Sequence, residues 1–253
     1  MATSFAIDVS LDAGWAVGAM FGGHLAEVLA EAAIAATGPA LAPVSTSVAF
    51  LRPAMPGPAR ITAEVIRSGR RYSVVSCTLE TDAGPAATAL VTLAPERSLP
   101  FTTGAGPADL PPEVTERIGA VAERVDWRTI TPWPGSSSRG SFEAWFRSRD
   151  DRFGAARYLV ASDLIGPAIA AAGRPLPFRI ATVALEVSAL ALSDSSWLRQ
   201  VVDVTVLGGE AVARLELRDP NGTLLALATH RVVILDATDD ELPLSVTAFG
   251  WGY

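Results

Sequence analysis

The chain of 253 residues has no lysine, a single cysteine (Cys77) and two histidines (His24 and His230). Without lysine, the protein cannot form a Schiff base or bind phosphate through a loop lysine. A single cysteine excludes an internal disulfide and a site of several thiolates, which favours a reducing, cytoplasmic location. Because thiols and imidazoles are so scarce, we expect no metal, although carboxylates alone could hold a hard cation. We also expect no cofactor.

Long hydrophobic runs are also missing, although 49% of the residues are hydrophobic. The longest candidate, Leu25–Ala36, is interrupted by Glu27 and Glu31 and is shorter than the roughly 18 apolar residues of a membrane helix. The N-terminus lacks the basic start and apolar segment of a signal peptide. We therefore expect no membrane partner, and the apolar excess favours a homo-oligomer.

The formal net charge of −7 argues against general binding of nucleic acid. The chain also lacks the motifs G-x-S-x-G, G-x-G-x-x-G, G-x-x-x-x-G-K-[ST] and H-E-x-x-H. These absences leave the usual serine hydrolase, dinucleotide, phosphate-loop and zinc protease functions without support.

Period-two alternation and β-branched residues predict four consecutive strands in each half of the chain, preceded by a helix. The predicted helices are Gly22–Ala36 and Ser162–Ala172. The predicted strands are Val44–Leu51, Ala59–Ser68, Ser73–Thr81 and Ala86–Ala94, then Arg179–Leu190, Leu198–Leu207, Ala211–Leu217 and Thr223–Leu235. Asp82–Gly84 and Asp219–Gly222 predict matching hairpin turns.

The two halves match each other at a nearly constant offset. Ser4-Phe5 matches Ser141-Phe142 at an offset of 137, Thr46 matches Thr182 at 136, and Gly84 matches Gly222 at 138. Agreement at several landmarks favours an internal duplication.

The segment between the halves is rich in proline, glycine and serine, as is typical of a linker. Within it we expect a short helix at Glu113–Arg124, and Trp127 and Trp133 could pack over a sheet. The acidic and then aromatic C-terminus is expected to dock on its own chain or on a partner subunit. The expected divisions are an N-terminal repeat (1–95), a linker (96–140), a C-terminal repeat (141–236) and a tail (237–253).

Five segments resemble one known family in order and spacing: MFGGHLAEVLAEAA (20–33), VSTSVAFLRPAMPG (44–57), VIRSGRRYSVVSCTLETDAG (65–84), ASDLIGPA (161–168) and IATVALEVSAL (180–190). The family is the double-hotdog acyl-CoA thioesterases of type II. The resemblance implies an α+β fold of two tandem hotdog repeats, each with a long helix wrapped by an antiparallel sheet.

The resemblance also implies three catalytic residues around one water, in the second repeat near its contact with the first. Asp163 matches the family's aspartate, although it could simply cap its own helix. Thr182 matches the family's threonine, although threonine is common in strands, and alternation would place Ala184 and Glu186 on its face. His230 stands where the family has glutamine, on an apolar strand face where a core histidine is the alternative.

The replacement of glutamine by histidine could preserve activity, change its pH dependence or mark another substrate or none. Histidine can orient a water and can also accept its proton near neutral pH, whereas glutamine can only orient it. The first-repeat counterparts, His24, Thr46 and Thr92, do not reproduce an acid, a hydroxyl and a base.

Six further residues are candidates for binding substrate. Gly22 and Gly23 would let a ligand approach the backbone at a helix start, or could form a tight turn. His24 could line an acyl pocket or cap a helix. Arg67, Arg70 and Arg71 cluster at a predicted hairpin, where they could bind coenzyme A phosphates or form a solvated turn. We expect Cys77 to lie in the core.

The function implied by the resemblance is hydrolysis of fatty acyl-CoA to free acid and coenzyme A. The alternatives are a catalytically silent protein that binds acyl-CoA or lipid, and a structural subunit for assembly. A hotdog dehydratase is disfavoured because its histidine-containing helix signature is missing. The enzyme needs Asp163, Thr182 and His230 to converge beside a pocket, a binding protein needs the pocket without the convergence, and a structural subunit needs neither.

Overall fold

The computed structural model of the chain describes residues 3–17, 19–104, 106–111, 121, 123–130, 140–150, 154–172, 178–236 and 247–248. Its first half consists of strands and one long helix, with short 3-10 turns at Ala13–Trp15 and Glu96–Ser98. These elements are β1 (Thr3–Leu11), β2 (Ala16–Val17), β3 (Ala19–Met20), α1 (Gly22–Thr37), β4 (Leu41–Phe50), β5 (Gly57–Arg67), β6 (Ser73–Thr81), β7 (Gly84–Pro95) and β8 (Phe101–Thr102).

The second half repeats the strands but has shorter helices. Its elements are β9 (Val125–Thr129), β10 (Gly140–Ser148), α2 (Arg157–Ala161), α3 (Gly166–Ala171), β11 (Phe178–Ala189), β12 (Leu192–Ser193), β13 (Leu198–Leu207), β14 (Glu210–Arg218), β15 (Leu224–Asp236) and β16 (Thr247–Ala248). The eight strands predicted from alternation are confirmed, with ends that differ by up to three residues.

One antiparallel sheet joins the two halves edge to edge. Its strand order is β1-β5-β6-β7-β4-β11-β15-β14-β13-β10-β9, and β16 pairs with β11. Outward from the β4–β11 junction, both halves follow the same order. Val48 lies opposite Leu185, 137 residues further along the chain, at this junction. The duplication inferred from the sequence is therefore present in the topology.

Helix α1 follows the predicted helix and packs on the inner face of β4 to β7. Its buried face combines Leu25 and Leu29 with alanines, at the spacing that places side chains on one side of a helix. Burial of each leucine contributes about 1.5–3 kcal/mol, and the alanines allow the helix axis to lie close to the sheet. Gly38, at φ +131°, ends the helix.

The helix predicted at Ser162–Ala172 is confirmed only over α3 (Gly166–Ala171), and the second repeat has no long helix, because a break at residues 162–165 separates α3 from the short α2. Pro167 explains the break. A continuous helix would need the backbone N–H of residue 167 to donate to the carbonyl of Asp163, and proline has no N–H. The carbonyl of Asp163 instead accepts from the N–H of Ile165 at 3.2 Å.

The predicted linker contains a strand that composition did not indicate. Strand β9 pairs with β10 at one edge of the sheet, and the buried Trp127 packs against Phe142 with ring centroids 5.4 Å apart. The expected packing of Trp127 over the sheet is thus present. Trp133 and most of the helix expected at Glu113–Arg124 lie outside the described residues, as does the tail apart from β16. Among the described helices, none combines the length and the apolar character that crossing a bilayer requires.

Helices α1 and α2 approach each other closely at Gly23. A Cβ atom there would lie 2.8 Å from the carbonyl oxygen of Leu159 and 2.9 Å from the Cα of Val160. Both are backbone atoms, which cannot rotate away. The first helix of one repeat therefore contacts the second repeat at a position that only glycine fits.

The close approach predicts the effect of Gly23→Ala. Overpacking of this kind costs about 1–3 kcal/mol, and we expect a loss in the free energy of unfolding of that size, measured by urea denaturation. Gly209→Ala is the matched control, because its nearest neighbour would be 3.8 Å from the new Cβ. Equal stabilities of the two variants would contradict the role of Gly23.

Candidate active site

Asp163 lies in the break between α2 and α3, and its carboxylate caps a helix of the other repeat. Its Oδ2 accepts the backbone N–H of Gly23 at 2.7 Å. Helix α1 begins at Gly22, and the preceding Phe21 makes no side-chain cap. The alternative in which Asp163 caps its own helix is therefore wrong. The carboxylate instead satisfies a free N–H at the first turn of α1, where the helix dipole favours a negative charge.

Thr182 reaches the site because β11 contains a β-bulge. The pairing of β11 with β15 shifts register between Thr182 and Ala184, so Val183 is the extra residue. The bulge reverses the alternation, and the side chain of Thr182 shares its face with Leu185. The expectation that Ala184 and Glu186 lie on the face of Thr182 is wrong for this reason, and Glu186 is exposed.

His230 lies on the inner face of β15, as alternation predicted. Its neighbours on that face, Ala228 and Val232, are buried, and the imidazole itself is 0% exposed. Its Nδ1 has no hydrogen-bond partner among the described residues. The polar contacts of the ring are therefore made by Nε2.

The structure brings Asp163, Thr182 and His230 together as three mutual neighbours. The hydroxyl of Thr182 donates to Asp163 Oδ1 at 3.3 Å, and His230 Nε2 lies 3.0 Å from the same oxygen. Nε2 is also 3.1 Å from Thr182 Oγ1. Thr182 is partly exposed, whereas Asp163 and His230 are buried.

Burial is the largest influence on the charges of this cluster. It raises the pKa of Asp163 to about 7, although the N–H groups of Gly23 and Gly22 and the hydroxyl of Thr182 lower it. Burial also lowers the pKa of His230 to about 3. A charged imidazole beside a carboxylate would need both ions to be desolvated, so the imidazole is neutral at physiological pH.

Gly22 and Gly23 lie beside the cluster, whereas the side chain of the neighbouring His24 contacts other residues. Gly22 and Gly23 lie in the first turn of α1, not in a separate tight turn, and Asp163 approaches their backbone. His24 stacks on Trp15 with centroids 4.7 Å apart, and its Nδ1 is 3.2 Å from Glu27 Oε2. The structure does not bring the imidazole of His24 to the cluster, and its role with substrate stays a prediction.

The arginine cluster is at the predicted hairpin, between β5 and β6, where Arg67, Arg70 and Arg71 are all exposed. Through the strand register, this hairpin is level with Ser188 of β11, six residues or about 20 Å along the strand from Thr182. Within one chain the structure does not bring these arginines to the cluster. Binding of coenzyme A by them stays a prediction.

Sequence reasoning missed Gln200, a fully buried amide on β13. Its Nε2 donates to the carbonyl of Ala161 at 2.8 Å and to that of Leu164 at 3.0 Å, on either side of Asp163. The available signal was a glutamine on a predicted strand whose neighbours two residues away, Leu198 and Val202, are both apolar. Within the described part of the chain, no three His, Cys, Asp or Glu side chains lie close enough to hold a metal ion.

The raised pKa of Asp163 predicts a pH-dependent contribution to stability. The pKa of an unfolded aspartate is about 4, so between about pH 4 and pH 7 the folded chain holds a proton that the unfolded chain has released. The free energy of unfolding therefore falls as pH rises through this range, by about 1.4 kcal/mol per pH unit. Asp163→Asn cannot titrate, so we expect its stability relative to the wild type to increase by about 2–3 kcal/mol from pH 5 to pH 8.

Urea denaturation at pH 5 and pH 8 measures this difference. Asp203→Asn, at an exposed position of β13, controls for the removal of one carboxylate. A relative stability of Asp163→Asn that is the same at both pH values would contradict the raised pKa.

Comparison with known proteins places this chain in a family. Residues 11–94 match the family model described as acyl-CoA thioesterase N-terminal domain, and residues 95–234 match the model described as acyl-CoA thioesterase C-terminal domain. Together the two models cover most of the chain. A comparison with curated protein sequences gives no match.

Solved structures share the fold. A structure named thioesterase II from Thermobifida fusca is 24% identical, with a TM-score of 0.74, and covers 90% of this chain and 92% of its own. A hot dog protein from Alicyclobacillus acidocaldarius is 22% identical, with the same TM-score and coverage. The tesB protein of Mycobacterium avium subspecies paratuberculosis is 19% identical, with a TM-score of 0.68, and covers 91% of this chain and 92% of its own. On the two family matches, the chain belongs to the double-hotdog acyl-CoA thioesterase family.

Proposed function

We propose that the protein hydrolyses fatty acyl-CoA at the cluster of Asp163, Thr182 and His230. Membership of the family supports a thioester hydrolase in general. The observation that carries the assignment of residues is the mutual contact of the three side chains, within 3.0–3.3 Å of one another. A silent binding protein or a structural subunit would not need such a cluster, so the geometry favours the enzyme.

In the proposed reaction, Asp163 is the general base. A base is most effective when its pKa is near the working pH, and burial raises the pKa of Asp163 to about 7. His230, with its pKa lowered to about 3, is a poor proton acceptor at neutral pH. His230 therefore orients its neighbours through hydrogen bonds, which is also what the family's glutamine can do.

The water would lie beside Thr182, within hydrogen-bond reach of Asp163 Oδ1. It loses a proton to the carboxylate of Asp163 as its oxygen bonds to the thioester carbonyl carbon. The carbon–sulfur bond then breaks, and the thiolate of coenzyme A takes up the proton from Asp163. The products are the free acid and coenzyme A, and the carboxylate is regenerated without a cofactor.

The composition of the chain supports a proposal for the location and the oligomeric state of the enzyme. We place it in the cytoplasm as a homo-oligomer, on the basis of its single cysteine and its high apolar content. Fatty acyl chains are the proposed substrates, and acyl-CoAs of short, medium and long chain distinguish among them in the assay.

Two substitutions test the division of roles. We expect Asp163→Asn to lower kcat/KM by about 10²–10⁴-fold, the usual contribution of a general base. We expect His230→Gln to remain within about tenfold of the wild type, because glutamine supplies an orienting hydrogen bond that does not depend on a proton transfer. Release of thiol from acyl-CoA, followed with a chromogenic thiol reagent, measures both rates.

Far-UV circular dichroism of each variant shows whether the fold is retained. A folded Asp163→Asn variant as active as the wild type would refute the catalytic role of Asp163. A loss of activity in His230→Gln as large as that in Asp163→Asn would instead identify the histidine as the base. No release from any chain length in the wild type would refute the thioesterase function.

A further inference from the structure

We propose that Gln200 is the positioning residue for Asp163, because its side-chain amide fixes the helix break from which the carboxylate projects. This inference rests on the proposed function, in which Asp163 is the base. Within the described residues, Gln200 makes no hydrogen bond to the side chains of the cluster, so its effect is transmitted through the backbone on either side of Asp163.

The break at residues 162–165 leaves two backbone carbonyls without their helical donors. In a continuous helix, the N–H of Ile165 would donate to Ala161 and the N–H of Ala168 would donate to Leu164. In the structure, the N–H of Ile165 donates to Asp163, and the N–H of Ala168 donates to Ile165 at 3.0 Å. A buried carbonyl without a partner costs free energy, so both oxygens require another donor.

The amide of Gln200 supplies both donors at once. Its Nε2 lies 2.8 Å from the carbonyl oxygen of Ala161 and 3.0 Å from that of Leu164. Its Oε1 accepts the indole N–H of Trp127 at 3.3 Å. The amide orientation is therefore determined on both ends, because reversing it would place an oxygen against the two carbonyls.

The anchor of this network is the sheet. Gln200 lies on β13 opposite Ala144 of β10 and Leu217 of β14, and it is 0% exposed. Strand β9, which carries Trp127, continues the same sheet beyond β10. The amide thus links a rigid element to the backbone two residues before and one residue after Asp163. A displacement of about 1 Å in a reacting group can cost about 10²-fold in rate, so this link matters for catalysis.

Gln200→Met tests the inference, since methionine is unbranched like glutamine but can donate to neither carbonyl. Val202→Ala is the matched control. Val202 is buried on the same strand, opposite Phe142 and Leu215, and its truncation weakens packing without touching the break. We expect Gln200→Met to lower kcat about 10–100-fold with KM within about twofold of the wild type, and Val202→Ala to change neither by more than about twofold.

A second measurement needs no substrate. The chain has two histidines, so NMR of protein labelled in the histidine rings gives one signal set each for His24 and His230. His230 Nε2 lies against Asp163 Oδ1, and its signals therefore report the titration and position of that carboxylate. The pH titration of Asp163, followed through the His230 signals, has a midpoint. We expect this midpoint to move by about half a pH unit or more in Gln200→Met and to stay unchanged in Val202→Ala.

The two readouts separate the inference from the function on which it rests. An unchanged midpoint and an unchanged kcat in Gln200→Met would overturn the positioning role and leave the thioesterase intact. A displaced midpoint in a protein that hydrolyses no acyl-CoA would support the positioning of Asp163 and refute the proposed function. If Gln200→Met does not fold, Gln200→Asn serves instead. Asparagine keeps the amide, but its shorter side chain moves the amide away from the two carbonyls, so the expected shift in the midpoint is the same.

Discussion

The hydrogen bond from the Gly23 N–H to the Asp163 carboxylate is the interaction on which the rest of the site depends. It joins the first turn of a helix in one repeat to a helix break in the other. Three features of the sequence make it possible. Pro167 opens the break, Gly23 allows the two backbones to approach, and Phe21 leaves the start of α1 without a cap of its own. Because Asp163 of the second repeat caps helix α1 of the first, its carboxylate lies at the contact between the repeats.

Two opposing effects then set the chemistry of that carboxylate. Removal from water disfavours its charge, whereas the N–H groups of α1 and the hydroxyl of Thr182 favour it. Burial dominates, so the carboxyl changes its protonation state near neutral pH, where a base is most useful. The same burial lowers the pKa of His230 and keeps the imidazole neutral, as the orienting role proposed for it requires. The β-bulge at Val183 completes the arrangement by turning Thr182 inward.

Much of this could be predicted from the sequence, since period-two alternation located the strands of the sheet and the offset of 137 revealed the duplication. Alternation also placed His230 inside. The errors arose where one local feature overrides a regular pattern. Pro167 interrupts a helix whose other residues favour it, and one extra residue at Val183 reverses the faces of β11. Strand β9 was missed because five residues among prolines and glycines carry little signal. Contacts between distant segments, such as those of Gly23 with Asp163 and of Gln200 with Ala161, have no local signature at all.

In the proposed reaction, the buried carboxylate of Asp163 both ties the repeats together and acts as the base. The pH dependence of kcat/KM for acyl-CoA hydrolysis by the wild-type protein and by His230→Gln is the first measurement to make. We expect kcat/KM to rise with pH through a single midpoint near 7 in both proteins, since deprotonation of Asp163 governs the rate. A midpoint near 4, typical of an ordinary solvated aspartate, would contradict the role of Asp163 as the base. The loss of the rise in kcat/KM with pH in His230→Gln would contradict it as well.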